Sequence, residues 1–182
     1  MLNIYSNDLK GQKSFFEGIM GFDTDYVEKE YLSIQIGITL FRFEYTKEIY
    51  RYHYCFLIPS DMLPLAMDWM TPHWSLIPNE KNELVNHFED WNAHAVYFYD
   101  GNGNVAEFIV RYDLNNDSKE KSFDKKHILS VNEIGIPTKN IKTINDRLEA
   151  EMESPFWKGS VERFGTNGTQ EGLFIMVNNE LK

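Results

Sequence analysis

Glu107 sits inside an otherwise apolar run, Val105-Ala106-Glu107-Phe108-Ile109-Val110, and a carboxylate in that setting must face water, meet a partner or bind a cation. The run is preceded by Ala93-His94-Ala95-Val96-Tyr97-Phe98-Tyr99 and the turn-forming stretch Asp100-Gly101-Asn102-Gly103-Asn104, so the two runs read as a β-hairpin. Pairing across that turn sets Tyr97 near Glu107 and leaves His94, of opposite parity, on the other face. A second run with chemical potential is His53-Tyr54-Cys55-Phe56-Leu57-Ile58-Pro59. Taken alone, His53 reads as a partly buried strand histidine bonded to a neighbour, and Cys55 shares its parity. A nucleophilic thiol needs a lowered pKa and a nearby base, and neither is legible, so Cys55 is expected as a small apolar wall residue. His73, His87 and His127 fall in or near loops and are expected to be solvated. Gly101-Asn102-Gly103 is a turn and not a phosphate cradle, because no helix follows it.

The elements that must position these side chains recur in a pattern of short apolar strand, polar turn, amphipathic helix and further strands. Its first copy runs from strand Leu2-Asn3-Ile4-Tyr5 through a cap at Ser6-Asn7-Asp8 to a helical face of Leu9, Phe15, Phe16, Ile19 and Met20, ended by Gly21. Strands follow around 25–31 and 33–45, where Ile34, Ile36, Ile38 and Leu40 alternate with Gln35, Gly37 and Thr39. The second copy opens at 52–58, continues into a helix carrying Met62, Leu65, Ala66, Trp69 and Met70, and closes with the hairpin. Residues 115–126 are polar and charged and read as a linker. The third copy has strand 131–136 broken by Pro137, a helix near 141–152 and a last strand over 172–177. The expected organisation is an α+β protein of βαβββ modules: 1–48, 49–114, the linker 115–126, and 127–182.

Composition narrows the partners. The chain has 182 residues, enough for one domain with a sizeable core, and its 42% hydrophobic and 15% aromatic content suits a sheet-rich interior. A formal net charge of −10 argues against nucleic acid and against an anionic membrane surface, since both are bound through clustered Lys and Arg. Cys55 is the single cysteine, which excludes an intrachain disulfide and suits a reducing compartment. No apolar run approaches the roughly 20 residues of a bilayer span, and the N-terminal residues lack a secretory pattern, so a cytoplasmic location is expected.

Three segments resemble the vicinal oxygen chelate superfamily, which groups glyoxalase I, extradiol dioxygenases and bleomycin- or fosfomycin-resistance proteins. Asp8-Leu9-Lys10-Gly11-Gln12-Lys13-Ser14-Phe15-Phe16 with Met20-Gly21-Phe22 is similar to its first helix and Leu-Gly-Phe end. The run 53–59 is similar to the strand opening a second module, and 96–108 to its Asp-Pro-Asp-Gly-Asn hairpin with a terminal Glu, Gly101 standing where Pro is usual. The third module shares the pattern more loosely through Glu133-Ile134-Gly135-Ile136-Pro137 and 172–177. The resemblance implies two paired modules closing a cup-shaped mixed sheet, the first two here, with a third partial module appended. It also implies metal ligands on the first and last strands of each module: His53, Glu107 and, near the end of the first module, Glu44. The matching position at the start of the first module falls on Met1, a departure, because a thioether suits hard or borderline divalent ions poorly.

Two functions follow from the resemblance and stay open at this point. In one, a divalent ion (Fe, Mn, Ni or Zn) held by His53, Glu107 and Glu44 serves an enzyme of glyoxalase or dioxygenase type, with Glu107 doubling as general base. In the other, a metal-free cup sequesters a small molecule, as in bleomycin-resistance relatives. Cys55, Tyr97, Tyr99, Phe41 and Phe43 are then expected to line the cup, and a homodimer is expected in either case. An interaction module with a cup filled by side chains is the third possibility.

Overall fold

The computed structural model describes residues 1–180. They form two compact units, residues 1–131 and 132–180. The first module consists of β1 (Leu2–Ser6), α1 (Leu9–Lys13, continuing as a π-helical turn over Ser14–Ile19), β2 (Thr24–Val27), β3 (Tyr31–Ile36) and β4 (Thr39–Tyr45). The second comprises β5 (His53–Leu57), α2 (Leu63–Met70), the short β6 (Leu76–Ile77) and β7 (Val85–Phe88), then β8 (Ala93–Tyr99) and β9 (Val105–Arg111). The third comprises β10 (Ser130–Thr138), α3 (Ile141–Met152), β11 (Phe156–Gly159), β12 (Phe164–Thr169) and β13 (Gly172–Asn178). The chain is thus an α+β protein of βαβββ modules.

Each module repeats one topology. Its first strand runs parallel to its last, which pairs antiparallel with the strand before it: β1-β4-β3-β2, β5-β9-β8-β6 and β10-β13-β12-β11. The helical crossover between the first strand and the rest makes this parallel pairing possible.

In the first module, alternation sends Leu32, Ile34, Ile36, Phe41 and Phe43 to one buried face. The helix that covers them widens at Ser14–Ile19, where Met20 N–H donates to the Phe15 carbonyl five residues back. Consecutive residues of a regular α-helix point about 100° apart, and the wider turn lets neighbours Phe15 and Phe16 both be fully buried. Phe16 packs on Phe41 and Phe43 of the first module and on Phe56 of the second, while Phe15 meets Trp74 and Phe98 of the second. This helix layer explains a departure from expectation. The first two modules do not close one sheet; their strands lie in separate sheets with the helix of the first between them.

The stretch 115–126, read as a linker, is hydrogen-bonded to the second module. Asn116 Oδ1 accepts from the Ser60 backbone, Asp61 accepts from Ser118 N and Lys119 N, and Phe123 is buried against Trp69 and Phe108. His127, expected in solvent, is 4% exposed because its Nδ1 accepts from Asp124 N in a reciprocal cap. Pro137, expected to break the third module's first strand after 136, does not; it pairs in register with Val177 and β10 continues to Thr138.

Candidate metal centre

The hairpin that carries Glu107 is built around one buried side chain. Asp100 closes the five-residue turn, its Oδ1 accepting from the backbone N–H groups of Asn102 and Asn104 at 2.9 Å. Its Oδ2 accepts from Gln12 Nε2 (2.6 Å), Tyr54 OH (2.8 Å) and Asn104 Nδ2 (2.7 Å), which joins the turn to α1 and to β5. Burial and the Asp100 charge together push the Tyr54 phenol well above its ordinary pKa, so it stays a donor. Gly101 and Gly11 meet backbone to backbone, and a Cβ on either would overlap the carbonyl of the other. That contact gives a steric reason for glycine where proline is usual. The turn also sets the start of β5, since Asn104 Oδ1 accepts from Tyr52 N and the Tyr52 carbonyl accepts from Val105 N.

With both strands fixed, the register brings the chemistry together. Cys55 on β5 and Tyr97 on β8 lie directly opposite Glu107 on the central β9, forming one row across three strands. His53 and Tyr99 flank Val105 in the adjacent row on the same face. His53 Nε2 stands 3.4 Å from Glu107 Oε2. Its other nitrogen, Nδ1, is 3.1 Å from the Val105 carbonyl, which can only accept, so Nδ1 carries the hydrogen. In the neutral ring Nε2 then presents a lone pair beside the carboxylate. This is the orientation that a metal-ligating histidine takes when its far nitrogen is held by a carbonyl.

Glu107 is 2% exposed. Burial raises its pKa, and the hydrogen bonds donated by Tyr97 and Cys55, with the charge of Arg111, offset part of that rise. Beyond this row the same face carries a buried apolar cluster of Leu57, Ala93, Ala95 and Ile109, with Phe88, Trp91 and Leu129 against it, and the buried Arg111 opposite Ala93. The donor set fits a divalent ion. An imidazole nitrogen and a carboxylate oxygen 3.4 Å apart can share an ion that holds each at about 2.1 Å.

Other residues singled out by sequence lie elsewhere. Glu44 belongs to the first module's sheet, where it accepts from Asn3 Nδ2 at 2.8 Å and lies 3.7 Å from Arg42 Nε. Phe41 and Phe43 are fully buried in the core beneath α1. Tyr99 shares the face of His53 but is 52% exposed. His94 takes the opposite face, as its parity requires, and its ring stacks on His87 at 4.3 Å. In the second unit, Glu133 is a carboxylate 5% exposed on β10, opposite Leu173. It carries the same signal as Glu107, an acid inside an apolar strand, and that signal was readable in the sequence.

No family model matches the sequence, and no curated protein is similar to it in sequence. Solved structures are similar in fold. A glyoxalase I variant from Zea mays matches with a TM-score of 0.62 at 11% identity, over 100% of this chain and 68% of that one. A candidate dioxygenase from Bacillus subtilis matches with a TM-score of 0.62 at 11% identity, over 97% of this chain and 62% of that one. This chain therefore spans about two thirds of those proteins. It shares its fold with these two structures. Among the described residues, no helix is long and apolar enough to cross a membrane.

Proposed function

We propose that the protein is a divalent-metal-dependent enzyme acting on a small molecule, of the glyoxalase or dioxygenase type. The observation that supports this most is the His53–Glu107 pair, 3.4 Å apart, with the imidazole held by the Val105 carbonyl so that Nε2 faces the carboxylate. When bound, a divalent ion supplies Lewis acidity for negative charge developing on substrate oxygens. The chain's own part is to orient and to move protons. His53 is fixed by its backbone bond, and Glu107, whose pKa is raised by burial, is a stronger base than an exposed carboxylate. The apolar strip of Leu57, Ala95 and Ile109 keeps water from the reacting atoms.

A metal-free binding protein is the second reading, and one observation favours it: Tyr97, Cys55 and Arg111 already satisfy the Glu107 carboxylate in part. Turnover separates the two. Protein loaded with Fe, Mn, Ni or Zn is incubated with catechols under air and with thiol adducts of 2-oxoaldehydes. The enzyme reading expects conversion of one class that is lost on chelation and in His53→Ala. Binding of these compounds without conversion, unaffected by chelation, supports the metal-free reading. We also propose a homodimer, because β1 ends its sheet and offers an edge to a second copy; light scattering on eluted protein checks it.

A further inference from the structure

The side chain that this chemistry leaves unexplained is Cys55. It is fully buried, on the ligand face, in the row Cys55–Glu107–Tyr97. Directly opposed residues on neighbouring strands have Cβ atoms about 5 Å apart, which puts a thiol on one side and a phenol on the other within reach of the central carboxylate. Both donate to it. A glutamate with bare flanks has several rotamers open to it, whereas donors on two opposite sides leave one orientation, here the one that turns Oε2 toward His53. An apolar side chain at 55 would leave a buried carboxylate lone pair without its donor, which is costly. A thiol is a weak donor, but a charged acceptor strengthens the bond.

We propose that Cys55 and Tyr97 are positioning residues that hold the Glu107 carboxylate toward His53, Cys55 acting as a hydrogen-bond donor and neither as a ligand nor as a nucleophile. The hydrogen bond stands on the metal-free geometry; its effect on ion affinity rests on the function proposed above.

The test exploits the single cysteine, which gives the protein one S–H stretch in a clear region of the infrared spectrum. Wild type should show that band at lower frequency than Glu107→Gln, whose neutral acceptor is weaker, and Cys55→Ala should lack it. Cobalt(II) is the probe for the second arm. Cys55→Ala and Tyr97→Phe should each bind it about 10-fold or more weakly, with Cys55→Ser restoring affinity and thermal melts confirming that all variants fold. The S–H band should persist with cobalt bound. An S–H band unmoved by Glu107→Gln overturns the proposal. So does loss of the band on adding cobalt with a thiolate charge-transfer absorption, which would make Cys55 a ligand. Equal cobalt affinity in wild type, Cys55→Ala and Tyr97→Phe overturns it too. Failure of wild type to bind cobalt would remove the metal reading, while the infrared arm still decides the hydrogen bond.

Discussion

Replacing Asp100 by alanine tests the idea that one buried carboxylate holds the hairpin carrying Glu107. The substitution strips three side-chain donors, Gln12 Nε2, Tyr54 OH and Asn104 Nδ2, and two backbone N–H groups of their acceptor. Each buried donor left bare costs about 1–3 kcal/mol. Counting only the side-chain donors, and allowing water to reach some of them, the loss is about 3–6 kcal/mol. In a chain of this size that lowers Tm by at least about 6 °C. Asp100→Asn has one oxygen and can serve the backbone pair or the side-chain trio but not both, so it should fall between wild type and Asp100→Ala. Equilibrium denaturation of the single variants and of Asp100→Ala combined with Tyr54→Phe measures the coupling. With the phenol already absent, the alanine substitution should cost less. A loss under about 1 kcal/mol for Asp100→Ala, or strict additivity with Tyr54→Phe, would refute the reasoning.

Further outcomes follow from contacts at the same end of the fold and on the opposite face of the sheet. Gly101→Ala should destabilise by about 1–3 kcal/mol through overpacking against the Gly11 carbonyl, measured by the denaturation midpoint; an unchanged midpoint would contradict the contact. His94 has its pKa lowered from the ordinary 6.5 by burial first and by the stacked His87 second. Above that value neither folded nor unfolded protein binds the proton; as pH falls below 6.5 the unfolded chain takes it up first, so stability is lost until the folded value is passed. Melting temperature should therefore drop on acidification below 6.5 more steeply in wild type than in His94→Phe, and equal slopes would count against it.

Much of this was legible in the residues. The alternation of β8 and β9 fixes the parity of Tyr97, Glu107 and His94 once the Asp-Gly-Asn-Gly turn is recognised, because a strand has period two and a turn sets the register. The face of Cys55 relative to His53 followed in the same way. The partners of whole modules were not legible, since edge pairing depends on what lies between sheets. Phe15 and Phe16 read as one helical face, and only the π-turn shows that they serve two sheets. That is why Glu44, Phe41 and Phe43 read as candidates for a cup and lie in the first module's sheet. Residues 115–126 read as linker because their polarity is evident locally, whereas the acceptors that use it, Asp61 and Asn116, are distant in sequence from their donors. Glu133 was read only as part of the third module's strand, because no adjacent turn signal fixed its face.

The central claim is that His53 and Glu107 ligate a divalent ion, and metal stoichiometry tests it most directly. Purified protein is stripped with chelator, titrated calorimetrically with Mn, Fe, Ni and Zn, and compared with His53→Ala and Glu107→Gln, each shown to fold by thermal melt. The account predicts one ion per chain for wild type and loss of most of the affinity in both variants. Binding that survives both substitutions, or no binding by wild type to any of the four ions, would contradict it.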